Sequence, residues 1–255
     1  MKFIKYQNII FIIIIVFIIG ILSFFLESNN VNKISTIKIV NNKLLDKEAY
    51  LEFAQLKEKN KDEELTLSII RDRLSKHPYV KFVDIIIVER GIAQINIHEK
   101  KIDAILFNNS KQLLVTNNSE IIPLIENTNN INLPIIIYED KEKIKVFDFG
   151  KFNKKILRAL NIVSTAEIYN KNLYQSISEI YITNSDDLKM SLINILAQVN
   201  FGKEEEIKKT VYLSKIFNHI KFGEIDQYLK YIDLRYNNMA YLGFDETLTK
   251  EKDRT

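Results

Sequence analysis

The residues best suited to catalysis or metal binding are dispersed along the chain. His77, His98 and His219 stand far apart and none belongs to an HExxH pair, so no zinc-ligand spacing is present. The chain has no cysteine, which removes thiolate nucleophiles, thiolate metal sites and disulfides together. Its six glycines form neither a GxGxxG turn nor a phosphate-cradling loop, and no serine sits in a GxSxG elbow. Asp84, Glu89 and Glu99 are of the type that cleaves glycans in pairs, but carboxylate separation is a three-dimensional quantity. On the strands expected around them, solvation or an ion pair is the ordinary fate of such groups. The sequence therefore predicts no catalytic, cofactor-binding or metal site. The net charge is +3, from 36 basic and 33 acidic residues, and no basic stripe is interleaved with aromatics. That balance argues against nucleic acid as a partner. No small-molecule substrate is expected.

The elements around these residues begin with an apolar run, Ile9 to Leu26, of about 18 residues. At helical rise it covers roughly 27 Å of hydrocarbon. Lys2 and Lys5 precede the run and Glu27 is the first charge after it. This asymmetry predicts a single-pass anchor at 9–26, a short cytoplasmic tail at 1–8, and everything later outside the cytoplasm. A cleaved signal peptide fits less well, because the run is long and Ser23 to Glu27 offers no small-x-small cleavage site.

Residues 31–106 read as a small α+β unit. Ile34, Ile37, Ile39 and Val40 suggest a strand ended by Asn41–Asn42. Asp46 stands at a helix N-cap position, its carboxylate suited to free backbone N–H groups, and Tyr50, Phe53 and Ala54 give that helix an apolar face. Leu67, Ile70 and Leu74 mark a second helix, which His77–Pro78 closes because proline cannot continue it. His77 is expected to act structurally there, near the negative end of the helix dipole. Phe82 to Val88 and Ile92, Ile95 and Ile97 then form a hairpin about Arg90–Gly91. Strand, helix, helix, strand, strand places both helices on one face of a three-stranded sheet.

Residues 107–244 predict a mixed β-sheet with flanking helices, followed by a tail at 245–255. Leu113–Val115 and Ile121–Ile122 make a hairpin, and Leu133–Ile137 is extended. A helix covers Phe152 to Tyr169, with Ile156, Leu160 and Val163 on one face. Strands Ile177–Ile182 and Leu188–Ile193 meet through a cluster of turn formers. A helix at Glu204 to Ile220 comes next, then Tyr228 to Tyr236 and a short apolar strand at Tyr241 to Phe244.

The first unit resembles a POTRA domain in Asn41 to Leu44, His77 to Lys81 and Glu99–Lys100. The second resembles the β domain of the FtsQ/DivIB family of bacterial cell division proteins. It does so in Ile121-Ile122-Pro123, Leu133-Pro134, Ile177–Ile180, Tyr231-Ile232-Asp233-Leu234-Arg235-Tyr236 and Gly243-Phe244. With the anchor, this ordered set spans nearly the whole chain. The resemblance implies a non-catalytic scaffold of the divisome in the cytoplasmic (inner) membrane at the septum. The implied partners are the single-span coiled-coil division proteins FtsB/DivIC and FtsL, with other divisome components, and the implied role is recruitment and regulation of septal peptidoglycan synthesis. The alternative is an envelope-facing, membrane-anchored sensor or wall-modifying enzyme.

The physical route expected is β-augmentation, in which a partner strand pairs with an open sheet edge at Tyr231 to Tyr236 and the residues after it. Matched by position, Arg235, Tyr236, Asn238 and Phe244 correspond to partner-contacting residues of the family. Arg235 is suited to a bidentate pair with a partner carboxylate. Strand alternation sets Ile232, Leu234 and Tyr236 on one face and Asp233 and Arg235 on the other, leaving Tyr236 open between core and interface.

Overall fold

A computed structural model describes residues 14–21, 34–57, 65–109, 111–129, 131–138, 144–147, 153–222 and 225–244. Of the expected anchor, residues 14–21 form a helix, α1, with exposed side chains, and the rest of 9–26 lies outside the described residues. Among the described residues no helix is long and apolar enough to cross a membrane. The tail at 245–255 also lies outside them. The fold is α+β, and the contacts divide it into two units.

The first unit holds β1 (Thr36–Val40), α2 (Lys47–Phe53), α3 (Leu67–Ser75) and most of β2 (Val80–Glu89) and β3 (Ile92–Glu99). Its sheet runs β1-β3-β2, with β1 parallel to β3. Gly91, at φ 80°, supplies the left-handed turn residue between β2 and β3. Ala93, Ile95 and Ile97 of β3 are buried, as are Tyr50, Ile70 and Leu74 of the helices. Asp46 occupies the N-cap of α2, but its side chain makes no capping hydrogen bond. Thr66 caps α3 by accepting from the Ile69 N–H. His77 is buried, with its ring 4.7 Å from that of Tyr50 and 4.6 Å from that of Phe53. Its role is thus aromatic packing at the end of α3, beyond the dipole contact expected.

The second unit runs from Glu99 onward and takes in Lys43–Leu45 and Pro78–Lys81. Both carboxylate oxygens of Glu99 accept the Lys43 N–H at 3.0 Å, and one also accepts the Leu44 N–H at 2.9 Å. The loop after Asn41 and the Glu99–Lys100 pair, widely separated in sequence, are thereby joined. The sheet has nine strands in the order β12-β11-β10-β9-β8-β7-β4-β5-β6. They are β4 (Ile102–Asn108), β5 (Lys111–Thr116), β6 (Ile121–Pro123), β7 (Ile135–Tyr138), β8 (Ile177–Ile182), β9 (Leu188–Leu192), β10 (Ile195–Gly202), β11 (Leu229–Asp233) and β12 (Tyr241–Phe244). Two parallel neighbours are joined by helices: β7 to β8 through α4 (Lys154–Tyr169) and α5 (Lys171–Ser176), and β10 to β11 through α6 (Glu206–Phe222). Parallel neighbours need such crossovers, since a tight turn cannot reverse the chain twice.

Inward residues of the strands, including Ile136, Ile180, Met190, Val199 and Ile232, form one core with Leu160 and Val163 of α4 and Leu213 and Phe217 of α6. Asn153 starts α4 by accepting the Lys155 and Ile156 N–H groups. Arg158 of α4 donates to the Asp186 and Gly202 carbonyls, both at 2.9 Å, and lies 3.3 Å from the Glu206 carboxylate. This half-buried arginine fastens α4 to the end of β10 and the start of α6, where β10 turns toward the last two strands.

Candidate partner-binding edge

The chain reaches the end of the large sheet through β11. On one side β11 lies parallel to β10, pairing Val199 with Ile232 and Asn200 with Asp233. On the other it lies antiparallel to β12, pairing Tyr231 with Gly243, Ile232 with Leu242 and Asp233 with Tyr241. The segment expected to be open, Tyr231 to Tyr236, is therefore covered by the chain's own backbone through Asp233. The terminal position in the sheet belongs to β12.

β11 ends at Asp233, and this decides where the next residues point. The Leu234 N–H still donates to the Asn200 carbonyl at 2.9 Å, and Leu234 is buried. Beyond it the alternation stops, so Tyr236 is exposed rather than in the core. The Met239 N–H approaches the Tyr236 carbonyl at 3.5 Å, and Asn238 adopts φ 59°, a left-handed conformation asparagine tolerates. That turn brings Tyr241 back against Tyr236, ring edge to ring face, with centroids 4.9 Å apart.

Arg235 is held from below. Its Nε donates to both oxygens of Asp233 at 3.0 Å and its NH2 donates to Oδ2 at 2.6 Å. The Asp233 carboxylate also accepts the Arg235 backbone N–H at 3.0 Å. Asp233 is buried while the arginine side chain is 56% exposed, so a fixed carboxylate carries a cation at the surface. The donated hydrogen bonds hold the Asp233 carboxyl below its ordinary value and, in return, raise Arg235. The stem of Arg235 lies across Gly202, where a Cβ would stand 3.0 Å from Arg235 Cγ; φ there is +75°, which L side chains rarely adopt. Gly243 makes similar room on β12: a Cβ there would meet Tyr231 Cε1, so that ring rests on the glycine backbone.

Two hollows flank the 234–239 turn. One, of about 340 Å³, is mainly apolar and lined by Val211, Tyr212, Leu234, Tyr236 and Met239, with Lys215 among its cations. The other, of about 500 Å³, is more polar and holds Asn200, Tyr231, Asp233, Arg235 and Tyr241. Tyr236 lines both and forms the ridge between them. Phe244, at the far end of β12, is exposed and pairs across to Leu229.

The four residues expected from sequence thus fall along one stretch of surface. Arg235, Tyr236 and Asn238 cluster at the turn before β12, and Phe244 stands at its other end. Sequence reading missed three contributors: Asp233 as the arginine's anchor, Gly202 as the floor beneath its stem, and Tyr241 as the partner of Tyr236. The Asp-x-Arg spacing, which puts both side chains on one strand face, is the signal for the first.

Of the groups considered for catalysis, Glu99 accepts backbone N–H groups and His77 packs among aromatic rings. His98 lies 3.0 Å from Asp84 and stacks on Phe82 with centroids 3.9 Å apart. Among the described residues no group of three or more His, Asp or Glu is placed to hold a metal ion. In the large unit burial pushes the Asp103 carboxyl up; Lys101, 3.6 Å from it, donates to Glu167 at 2.6 and 2.7 Å.

A family model of the C-terminal region of the cell division protein FtsQ/DivIB matches residues 104–235, more than half of the chain. The chain belongs to the FtsQ/DivIB family and has its role in cell division. The matched residues run from β4 to Arg235, so Tyr236, Asn238 and Phe244 lie just beyond them. No curated protein matches the chain.

Proposed function

We propose that this chain is a non-catalytic divisome scaffold that captures FtsB/DivIC-type and FtsL-type coiled-coil proteins by adding a partner strand to β12. The carrying observation is the position of β12 at the end of the nine-stranded sheet, with Arg235 and Tyr236 fixed beside it. A partner strand laid along β12 extends the ladder with main-chain hydrogen bonds. Asp233 engages Nε and NH2 of Arg235, which leaves the NH1 side of the fork for a partner carboxylate. Tyr236 and Phe244 supply apolar contacts at either end. Asn238 holds the turn that brings them into line.

In this reading, residues 9–26 anchor the chain in the cytoplasmic membrane with the N-terminus inside. Residues 31–106 act as a POTRA domain and 107–244 as the β domain, both outside the cytoplasm at the septum. The scaffold regulates septal peptidoglycan synthesis through its partners.

The test is capture of both coiled-coil proteins by the full chain and by a chain ending at Met239, which loses β12 and the tail. Capture by the full chain alone is expected. Equal capture by both would overturn the assignment of β12.

A further inference from the structure

We infer that β2 is a self-complementary edge, through which two copies of this chain pair antiparallel about a two-fold axis at Ile85. β2 ends the three-stranded sheet and is ten residues long, Val-Lys-Phe-Val-Asp-Ile-Ile-Ile-Val-Glu. Natural edge strands are normally shortened, bulged, or guarded by proline or lysine. This one carries no proline and no glycine, and from Phe82 to Val88 its single charge is Asp84. That charge is turned onto His98 of β3, within its own sheet, at 3.0 Å. Phe82, Ile86 and Val88 are exposed by 44, 57 and 51%, and Ile87 by 42%, although all are large and apolar. A long, open, apolar edge of this kind is a template for another strand.

The sequence of β2 specifies which strand. When two copies run antiparallel about Ile85, Phe82 opposes Val88, Val83 opposes Ile87, and Lys81 opposes Glu89. Every apolar pair shares a face, and the symmetry makes the Lys81–Glu89 pair twice, once at each end. Opposite charges directly across strands stabilise, and like charges destabilise. Centring the pairing on Asp84 sets two carboxylates against each other. Centring it on Ile86 sets Phe82 against Arg90 and Val83 against Glu89. Centring it on Ile87 pairs Asp84 with Arg90 but sets Ile85 against Glu89 and shortens the overlap of the two strands. Charge complementarity and overlap length together therefore select the Ile85 register, and with it a second copy of the chain as occupant. The contact is isologous and closes as a dimer.

Because the chain has no cysteine, register can be read by single substitutions in the full chain in detergent solution. Under mild oxidation Ile85→Cys should form a covalent dimer. Val83→Cys and Ile87→Cys should do so only when the two chains are mixed. In sedimentation of the full chain, Lys81→Glu and Glu89→Lys should each weaken dimerisation about tenfold, since two symmetry-related pairs are lost. The double variant, with the charges exchanged, should recover it. Association through another segment, such as the apolar run at 9–26, would not follow this pattern. A monomeric full chain, strongest linkage at 83 or 87 alone, or no recovery in the double variant would each overturn the inference.

Discussion

Among the described residues β12 and β2 each stand at one end of a sheet, and the two strands are built in opposite ways. β12 has four residues, one of them glycine, and stands beside a buried acid carrying a surface arginine and a pair of tyrosines packed edge to face. β2 has ten residues, no glycine and a bare apolar face. A short strand offers few backbone hydrogen bonds, so discrimination at β12 must come from side chains fixed around it. A long strand offers many, and discrimination at β2 must come from register. With the roles proposed for them, the first edge selects a foreign partner and the second selects a copy of itself. The contrast shows that exposure alone does not say what an edge binds; what surrounds the ladder does.

The largest effect expected from breaking this contrast is at Arg235. Arg235→Glu should abolish partner capture by the full chain. From sequence alone, this reversal would leave thermal unfolding unchanged. The ion pair revises that expectation, because a glutamate at 235 would face the buried Asp233 carboxylate. Unfolding should lose about 1–2 kcal/mol, less than for a fully buried pair because the guanidinium is half in water. Calorimetry and capture on the same variant check both parts. Unchanged capture would remove Arg235 from the interface, and an unchanged melting temperature would show that the Asp233 pair carries no stability.

A smaller effect is expected at Gly243. The Tyr231 ring occupies the space a Cβ would need there, so Gly243→Ala must push the ring aside. Overpacking of this kind costs about 1 kcal/mol. Capture should weaken several-fold with the core intact, measurable by titration of the partner. A variant that binds at full strength would show that the seating of β12 on β11 does not matter to the edge.

How much of the molecule is legible in its sequence depends on the range of the interactions involved. The helices announce themselves, since Ile156, Leu160 and Val163 recur at helical spacing and the structure buries all three. The β2–β3 hairpin is readable from Arg90–Gly91, as its turn chemistry is local. β4, β10 and α5 were not expected. Ile102, Ala104 and Leu106 alternate cleanly on β4, and Ile195, Ala197 and Val199 do so on β10, so the period is present in the sequence although neither strand was expected. Strand order is not legible, because the parallel partners of β4 and β10 are set by crossovers dozens of residues long. That is also why the open edge expected at Tyr231 to Tyr236 and the residues after it takes in a strand, β11, that β12 covers. Tyr241 to Phe244 reads as a short apolar run, and nothing local says that it folds back over β11. The four site residues came from the resemblance to the FtsQ/DivIB family, matched by position, and not from type or spacing. Asp233 is signalled by the Asp-x-Arg spacing, whereas Gly202 and Tyr241 emerge only when the chain ends of three strands meet.

The mildest expected effect is on pH dependence, and it separates the arginine anchor from the rest of the large unit. The Arg235 guanidinium, donating to Asp233, holds that carboxyl below its ordinary value. A carboxylate depressed in the folded state adds stability that is complete above its unfolded value, near 3.9, and lost as pH falls through the folded value. Asp103 has the opposite sign: burial raises its carboxyl, so it favours folding below the unfolded value and loses that contribution as pH rises. At neutral pH the Asp233 contribution is therefore in force and the Asp103 contribution is absent. Capture by β12 should be flat from neutrality to about pH 4 and fall below it. Asp233→Asn should flatten that acid limb, with weaker capture throughout, because an amide holds the guanidinium less firmly than a carboxylate. Asp103→Asn should leave the limb in place. The partner carboxylate proposed to meet Arg235 titrates in the same range, so an acid limb undiminished by Asp233→Asn would assign it to that carboxylate and not to the one beneath the arginine.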